Sequence, residues 1–509
     1  MTRDPREKCK TDKTDSSKRD FLKMSAGLVA GAALAPLLPG MAAAGQAPRD
    51  ADAVERIPRQ NGEARGRLLI KGGTVISMDP QVGDFLQADV LVEGKKIVAV
   101  KPNIQASGAT TIDATDMIVI PGLIDGHRHC WQNMFRRAVP DGGHGEYGKF
   151  ANGLIPAVRP RDVYIANLAS GLSAINAGIT SMQDVSHISK TSAHSDAAIM
   201  AHQDSGIRGV YGYAPPRGGA EVAKQYPQDI HRLKKQFFAS DDQLVTMRLA
   251  GATVALARQV GVGMTIDAIG GLATPPRPIN SEQRLQDMAK AGEMGPDVTM
   301  IHCTALSDGA FRLIADNGVN VVLSVTSDGQ LRGLANSVAP IQNVLDFGLL
   351  RRTGLSVDVE VNLSPDLFAQ MKATFLLQRV LSNKRWAEGD AGAPAMMTVR
   401  DVLTMATLGG ATGLGLLNKV GTLTPGKEAD IVLIRANDIT NGPLNNAVGT
   451  VVLGATLDSV DTVIIAGQVK KSRGRLVGAN EAAVLRALRA SRDHLAAATG
   501  LWKPQDILA

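Results

Sequence analysis

Cysteine is nearly missing from this chain: three in 509 residues, Cys9, Cys130 and Cys303. No disulfide framework rests on so few; Cys130 and Cys303 are expected as free, buried thiols acting as small apolar packing. Aromatic residues are also scarce, at 4%, while Gly and Ala are plentiful. That balance fits a large α/β enzyme better than a β-rich binding module. Strong charge is absent: the net charge is +6, about half of it within residues 1–44. No basic stripe interleaved with aromatics occurs, so no nucleic-acid partner is expected. There are no repeats and no low-complexity array. No Gly-rich phosphate turn follows an early strand, which argues against an open doubly wound sheet. The longest apolar run near the start, Met24 to Leu38, is short for a membrane-spanning helix.

That run does fit an export signal. Ser17-Lys-Arg-Asp-Phe-Leu-Lys23 precedes it, and Ala42-Ala-Ala44 follows. Charged stretch, apolar stretch and small-residue cleavage site come in signal-peptide order. The charged stretch resembles a twin-arginine signal with Lys in place of the first Arg. Residues 1–44 are therefore read as a removable, twin-arginine-like signal. The mature protein is expected in the periplasm, without a membrane segment, and Cys9 would leave with the signal.

The remainder divides by rhythm. Residues 45–63 are polar and irregular and read as a linker. Short strands with turn residues between them fill residues 64–116 and return over residues 420–475, including Ala429–Ile434, Val448–Leu453 and Val460–Ala466. Neither half is large enough alone, so both chain ends are expected to build one small composite β-sandwich domain. Between them, over residues 117–419, apolar strands alternate with helical stretches. Eight strand candidates begin at Ile118, Ile179, Gly209, Leu244, Gly263, Val298, Asn320 and Leu355. Eight βα units fit a (β/α)8 TIM barrel, an α/β fold whose chemistry lies at the C-terminal strand ends. Residues 476–509 add a C-terminal helix, with apolar Val484, Leu485, Leu488 and Leu495.

The strand ends carry polar groups where packing alone would not. Met117-Ile-Val-Ile-Pro-Gly-Leu-Ile-Asp-Gly-His-Arg-His129 ends in two imidazoles two residues apart. On an extended chain these face the same way and can reach one metal ion. The fifth strand ends at Asp267, the sixth at His302 and the eighth at Asp358. An acid or imidazole in an apolar strand costs several kcal/mol, roughly, unless it is paired or binds metal.

Four stretches together resemble the metal-dependent amidohydrolase superfamily, near its cytosine deaminase and chlorohydrolase-like branch. They are Val119 to His129, Ala177-Gly-Ile-Thr180 with Asp184, Ile301-His302, and Gly421-Thr-Leu-Thr-Pro-Gly-Lys-Glu-Ala-Asp-Ile-Val-Leu-Ile434. The resemblance implies that His127, His129 and Asp358 bind a divalent metal, that His302 lies beside the reacting centre, and that Asp358 shuttles a proton. The chain departs from the family at the fifth strand: the expected histidine reads Asp267, and the glutamate often found three residues later reads Gly270. Asp267 is then either an oxygen ligand or the mark of a weakened site. The fourth strand has no lysine, so one metal ion is implied rather than two. Zinc is the first expectation; the harder donor set with Asp267 opens iron or manganese.

The implied reaction is hydrolysis of a non-peptide C–N bond in a small, heterocyclic substrate through a metal-activated water, as in a deaminase or a cyclic amide or amidine hydrolase. Two alternatives stand beside it: removal of another leaving group, as in chlorohydrolase-like relatives, and a non-catalytic barrel with a degraded site. Four residues are candidates to meet substrate. Gln132 is placed to hold a ring edge. Trp131 either stacks on a planar ring or packs under the first loop. Arg136 either binds substrate or bridges the loop. His187 follows Asp184 at the second strand's end. His144, His202, His231 and His494 are read as surface residues. A homo-oligomer is expected from relatives.

Overall fold

A computed structural model describes residues 54–59, 66–217, 225–267, 281–304, 306–331 and 338–508. Residues 1–44, and with them the export signal, lie outside the described residues, as does Gly270.

Eight parallel strands close into a barrel: β6 (Leu123–Arg128), β7 (Ile179–Ser186), β8 (Arg208–Tyr213), β9 (Thr246–Ala250), β10 (Gly263–Ile266), β11 (Val298–Ile301), β12 (Asn320–Leu323) and β13 (Thr353–Leu355). The eight expected strands are these eight. Their near-continuous burial reflects the double coverage of a parallel sheet, with helices outside and packed side chains within. Several stop earlier than the apolar pattern does. β11 ends at Ile301, so His302 and Cys303 lie just past it; Cys130 opens a 3-10 turn, Cys130–Phe135. Cys130 and Cys303 are both free and buried, as expected.

The second sheet has nine strands and draws on both ends of the chain. β1 (Arg67–Ile76), β2 (Asp84–Glu93), β3 (Lys96–Lys101), β4 (Thr110–Asp113) and β5 (Met117–Pro121) join β14 (Ile431–Arg435), β15 (Val460–Ile465), β16 (Gln468–Ser472) and β17 (Arg475–Leu476). β5 corrects the barrel boundary. The apolar run from Ile118 was read as one barrel strand, but Met117–Pro121 pairs with β1 and β14 in this sheet. The chain turns at Pro121-Gly122 and enters the barrel at Leu123. Gly122 is needed there, because a Cβ would stand 2.0 Å from the Thr180 hydroxyl oxygen. Alternation along β5 joins two cores: Ile118 and Ile120 pack into the main core, Val119 into the sheet's own.

Three other expectations change. Val448–Leu453 is helical, not a strand: Ala447–Gly449 is α-helix and Thr450–Gly454 a π-turn. The Asn446 side chain accepts from the Gly449 N–H at 2.7 Å, capping the turn, and Val448, Val451 and Val452 face the core at helical spacing. Residues 54–59 are irregular but docked, because the Arg59 guanidinium donates to the carbonyls of Ser205, Lys470 and Val477. The C-terminal helix, Glu481–Thr499, buries Val484, Leu488 and Leu495 but leaves Leu485 exposed.

Barrel and sheet are fastened by a buried ion pair. Arg208, at the start of β8, donates to Asp430 Oδ2 at 2.9 Å and to Glu428 Oε2 at 2.7 Å. The Gly421–Ile434 stretch thus supplies structure rather than chemistry.

Candidate metal centre

The polar groups singled out at four strand ends converge. β6 and the segment after β13 pair directly: the His129 N–H donates to the Asp358 carbonyl and the Asp358 N–H to the His127 carbonyl, both at 3.0 Å. This ladder sets Asp358 Oδ1 3.2 Å from His127 Nε2 and 3.5 Å from His129 Nε2. Asp267 closes the cluster from just past β10, its carboxylate 3.8 Å from His127 Nε2 and 3.9 Å from His129 Nε2. His302 Nε2 lies 3.6 Å from Asp267 Oδ1. His302, Cys303 and Asp358 all have left-handed backbones, with φ of 68°, 54° and 67°. Such strain costs about 1–3 kcal/mol per residue and persists where the surroundings fix it.

These residues fit a divalent ion. His127 Nδ1 is buried without a hydrogen-bond partner, and its Nε2, 3.2 Å from Asp358 Oδ1, makes none of good geometry; such unpaired buried groups cost about 1–3 kcal/mol each. His127, His129 and Asp358 offer ligand atoms within 4.8 Å of one another, as do His127, Asp267 and His302. Two imidazoles and two carboxylates suit zinc, iron or manganese.

The electrostatics agree. Burial raises the Asp267 and Asp358 pKa values, but the surrounding imidazoles outweigh it and hold both carboxyls well below their usual range. Burial and the neighbouring His127 push His129 down to about 4. Burial and the nearby Arg217 hold His187 well below the usual histidine range. His302 goes the other way. Burial opposes its charge, but its Nδ1 meets Asp328 Oδ1 at 2.7 Å, and the pKa is pushed up to about 10.

Supporting side chains orient the cluster. Ser327 donates to Asp358 Oδ2, so this hydroxyl and Asp328 reach the site from one short helix, Val325–Gln330. The His129 ring bonds the Val185 carbonyl through Nδ1 at 2.9 Å. Asp184 accepts from the Cys130 N–H, the Asn167 amide and His202 Nε2. His202 was read as a surface residue and is fully buried, because Asp184 gives it a partner inside. Arg128 points away from the ligands and pairs with Asp125 and Glu360, each at 2.8 Å. Asp328, Ser327, Asp125 and Glu360 were not singled out from sequence. Asp125, inside β6, and Glu360, two residues past Asp358, had their place in apolar segments as a signal; Ser327 and Asp328, on a short helix, had none.

A cavity of about 360 Å³ opens beside the cluster, lined in part by His187, Arg217, Met264, Ile266, Asp267 and Arg284. Trp131, Gln132 and Arg136 do not line it. Trp131 is 1% exposed within the main core, the packed one of its two readings. Gln132 donates to the Tyr147 hydroxyl at 2.9 Å. Arg136 is bound by Glu360, which bridges the loop as its second reading had it.

Known proteins resemble this chain over most of its length. The profile of the amidohydrolase family matches residues 118–470. A 5-methylthioadenosine/S-adenosylhomocysteine deaminase of Desulforudis audaxviator is 29% identical over 442 residues, spanning 82% of this chain and 97% of the relative. A 5'-deoxyadenosine deaminase of Methanosarcina mazei is 26% identical, spanning 84% and 98%. Among solved structures, a zinc-bound adenosine deaminase from Xanthomonas campestris superposes with a TM-score of 0.72 at 21% identity, covering 84% of this chain and 98% of its own. Atrazine chlorohydrolase from Arthrobacter aurescens TC1, complexed with zinc, gives 0.70 at 22% identity, covering 83% and 99%.

Proposed function

The chain belongs to the amidohydrolase family, and from that premise we propose that it hydrolyses an amino group, as ammonia, from the ring of a small nitrogen heterocycle. It acts on C–N bonds other than peptide bonds. The deaminases among its relatives favour a purine nucleoside or a close analogue. The observation that carries the reading is that the Asp267 and Asp358 carboxylates each come within 3.9 Å of both the His127 and the His129 Nε2 atoms.

These four residues would hold one divalent ion, zinc in the first instance, which would acidify a water and polarise the ring carbon. The chain's own groups do the rest. Asp358 keeps Oδ1 toward the imidazoles while Ser327 holds Oδ2. As a carboxylate beside the attacking water, it would take that water's proton and deliver it to the departing nitrogen. Water oxygen bonds to the ring carbon, the C–N bond breaks, and ammonia leaves. Asp328 keeps His302 protonated, and the His302 Nε2–H can donate to charge developing at the tetrahedral centre.

A second reading has halide or an alkylthio group leaving; Gly270 stands where the glutamate that many deaminases of this family use toward a ring nitrogen is expected. One screen separates the two: ammonia release from amino-heterocycles against chloride or thiol release from the matching derivatives. Residues 1–44, read as an export signal, would place the reaction in the periplasm; a reporter fused to them tests this by its compartment.

A further inference from the structure

Just past the end of β7, one more imidazole stands beside the cluster. His187 Nε2 stands 3.6 Å from Asp267 Oδ2, too far for a hydrogen bond. Its other ring nitrogen, Nδ1, is buried without a partner. Its ring centroid is 4.6 Å from that of His129. His129, His187 and Asp267 together offer three ligand atoms within 4.8 Å of one another. Neighbouring donors each about 2.1 Å from one ion stand about 3.0–3.6 Å apart in a five-coordinate shell. The His187–Asp267 separation lies at the top of that range and the His129–Asp267 separation a little beyond it.

One carbonyl ties the two residues together. The Val185 carbonyl meets His129 Nδ1 at 2.9 Å and accepts the main-chain N–H of His187 at 3.2 Å. The His187 carbonyl in turn accepts the main-chain N–H of Arg217 at 3.0 Å. The end of β7 therefore orients the His129 ring and fixes the His187 backbone beside it, leaving the His187 imidazole itself unbonded.

We propose that His187 is a ligand of the same ion, returning from the end of β7 the histidine that Asp267 has replaced at the end of β10. This rests on the metal centre proposed above and extends it. The shell then holds three imidazoles, His127, His129 and His187, with Asp267 and Asp358. Its nitrogen content favours zinc over manganese. His187 thereby changes from a wall of the substrate cavity to part of the centre.

The test is a chelator-competition titration of the metal-free full chain with Zn²⁺, and with Co²⁺ read by its visible spectrum. His187→Gln and His187→Ala are measured beside the wild type, and circular dichroism checks their folding. The expected result is one ion bound by the wild type, binding about tenfold or more weaker in both variants, and an altered cobalt spectrum. X-ray absorption of the zinc-loaded chain should lose one imidazole in His187→Gln. Unchanged affinity, spectrum and imidazole count, with only KM raised, would overturn the proposal and leave His187 a substrate contact. Should the variants fail to fold, the wild-type imidazole count decides: two or fewer overturns it. A wild type that takes up no ion overturns the metal centre itself, an outcome distinct from loss confined to the variants.

Discussion

Asp358 carries the most demands of any residue here. It is held in a left-handed backbone, bonded through main chain to both His127 and His129, and gripped at one oxygen by Ser327. Asp358→Asn keeps the shape and removes the base, so turnover should fall by about 10²–10⁴-fold. Single-turnover rates on metal-loaded protein check this, and a loss below tenfold would contradict the role. Asp328 acts through His302. Asp328→Asn should lower kcat by about 10–100-fold with KM little changed; a raised KM at constant kcat would instead mark a substrate contact. Asp184 is structural in the same sense. It satisfies His202, Asn167 and the Cys130 N–H inside the protein. Asp184→Ala should cost about 2–4 kcal/mol in denaturant unfolding, since several buried groups lose their partner. At this scale the converging groups His127, His129, Asp267, His302 and Asp358 were legible, because polar groups in apolar strands stand out. Their supporters were not: Asp328 and Ser327 lie in an unremarkable polar stretch and gain meaning only when β12 brings them beside β13.

At the scale of elements, the apolar pattern located every barrel strand but misjudged ends and one identity. A run such as Met117 to Arg128 looks uniform, and only three-dimensional pairing reveals that Pro121-Gly122 divides it between two sheets. Val448–Leu453 has β-branched residues that suggest a strand, yet the Asn446 cap and helical burial spacing prevail. Propensity is a weak prior beside packing of this kind. The join between the two sheets rests on Arg208. Arg208→Met strands Glu428 and Asp430 in the interior, and stability should fall by about 3–5 kcal/mol. Calorimetry of the full chain would check it, and an unchanged unfolding temperature would show the fastening to be incidental.

For the whole molecule, the barrel and the sheet built from both chain ends were legible from alternation and spacing, and the superfamily from four short stretches. The reaction was less so. The cavity beside Asp267 has a wall that includes Arg217 and Arg284, which come from segments distant in sequence. The site itself points to metal-dependent C–N hydrolysis, and one measurement tests that directly. Ammonia release from amino-purine nucleosides is followed with the purified full chain, stripped of metal and then reloaded with zinc, iron or manganese. The account predicts turnover that disappears on chelation, returns with one equivalent of ion and is lost in Asp358→Asn. Ammonia release that persists without metal, or a metal-loaded chain inert toward every amino-heterocycle offered, would contradict it.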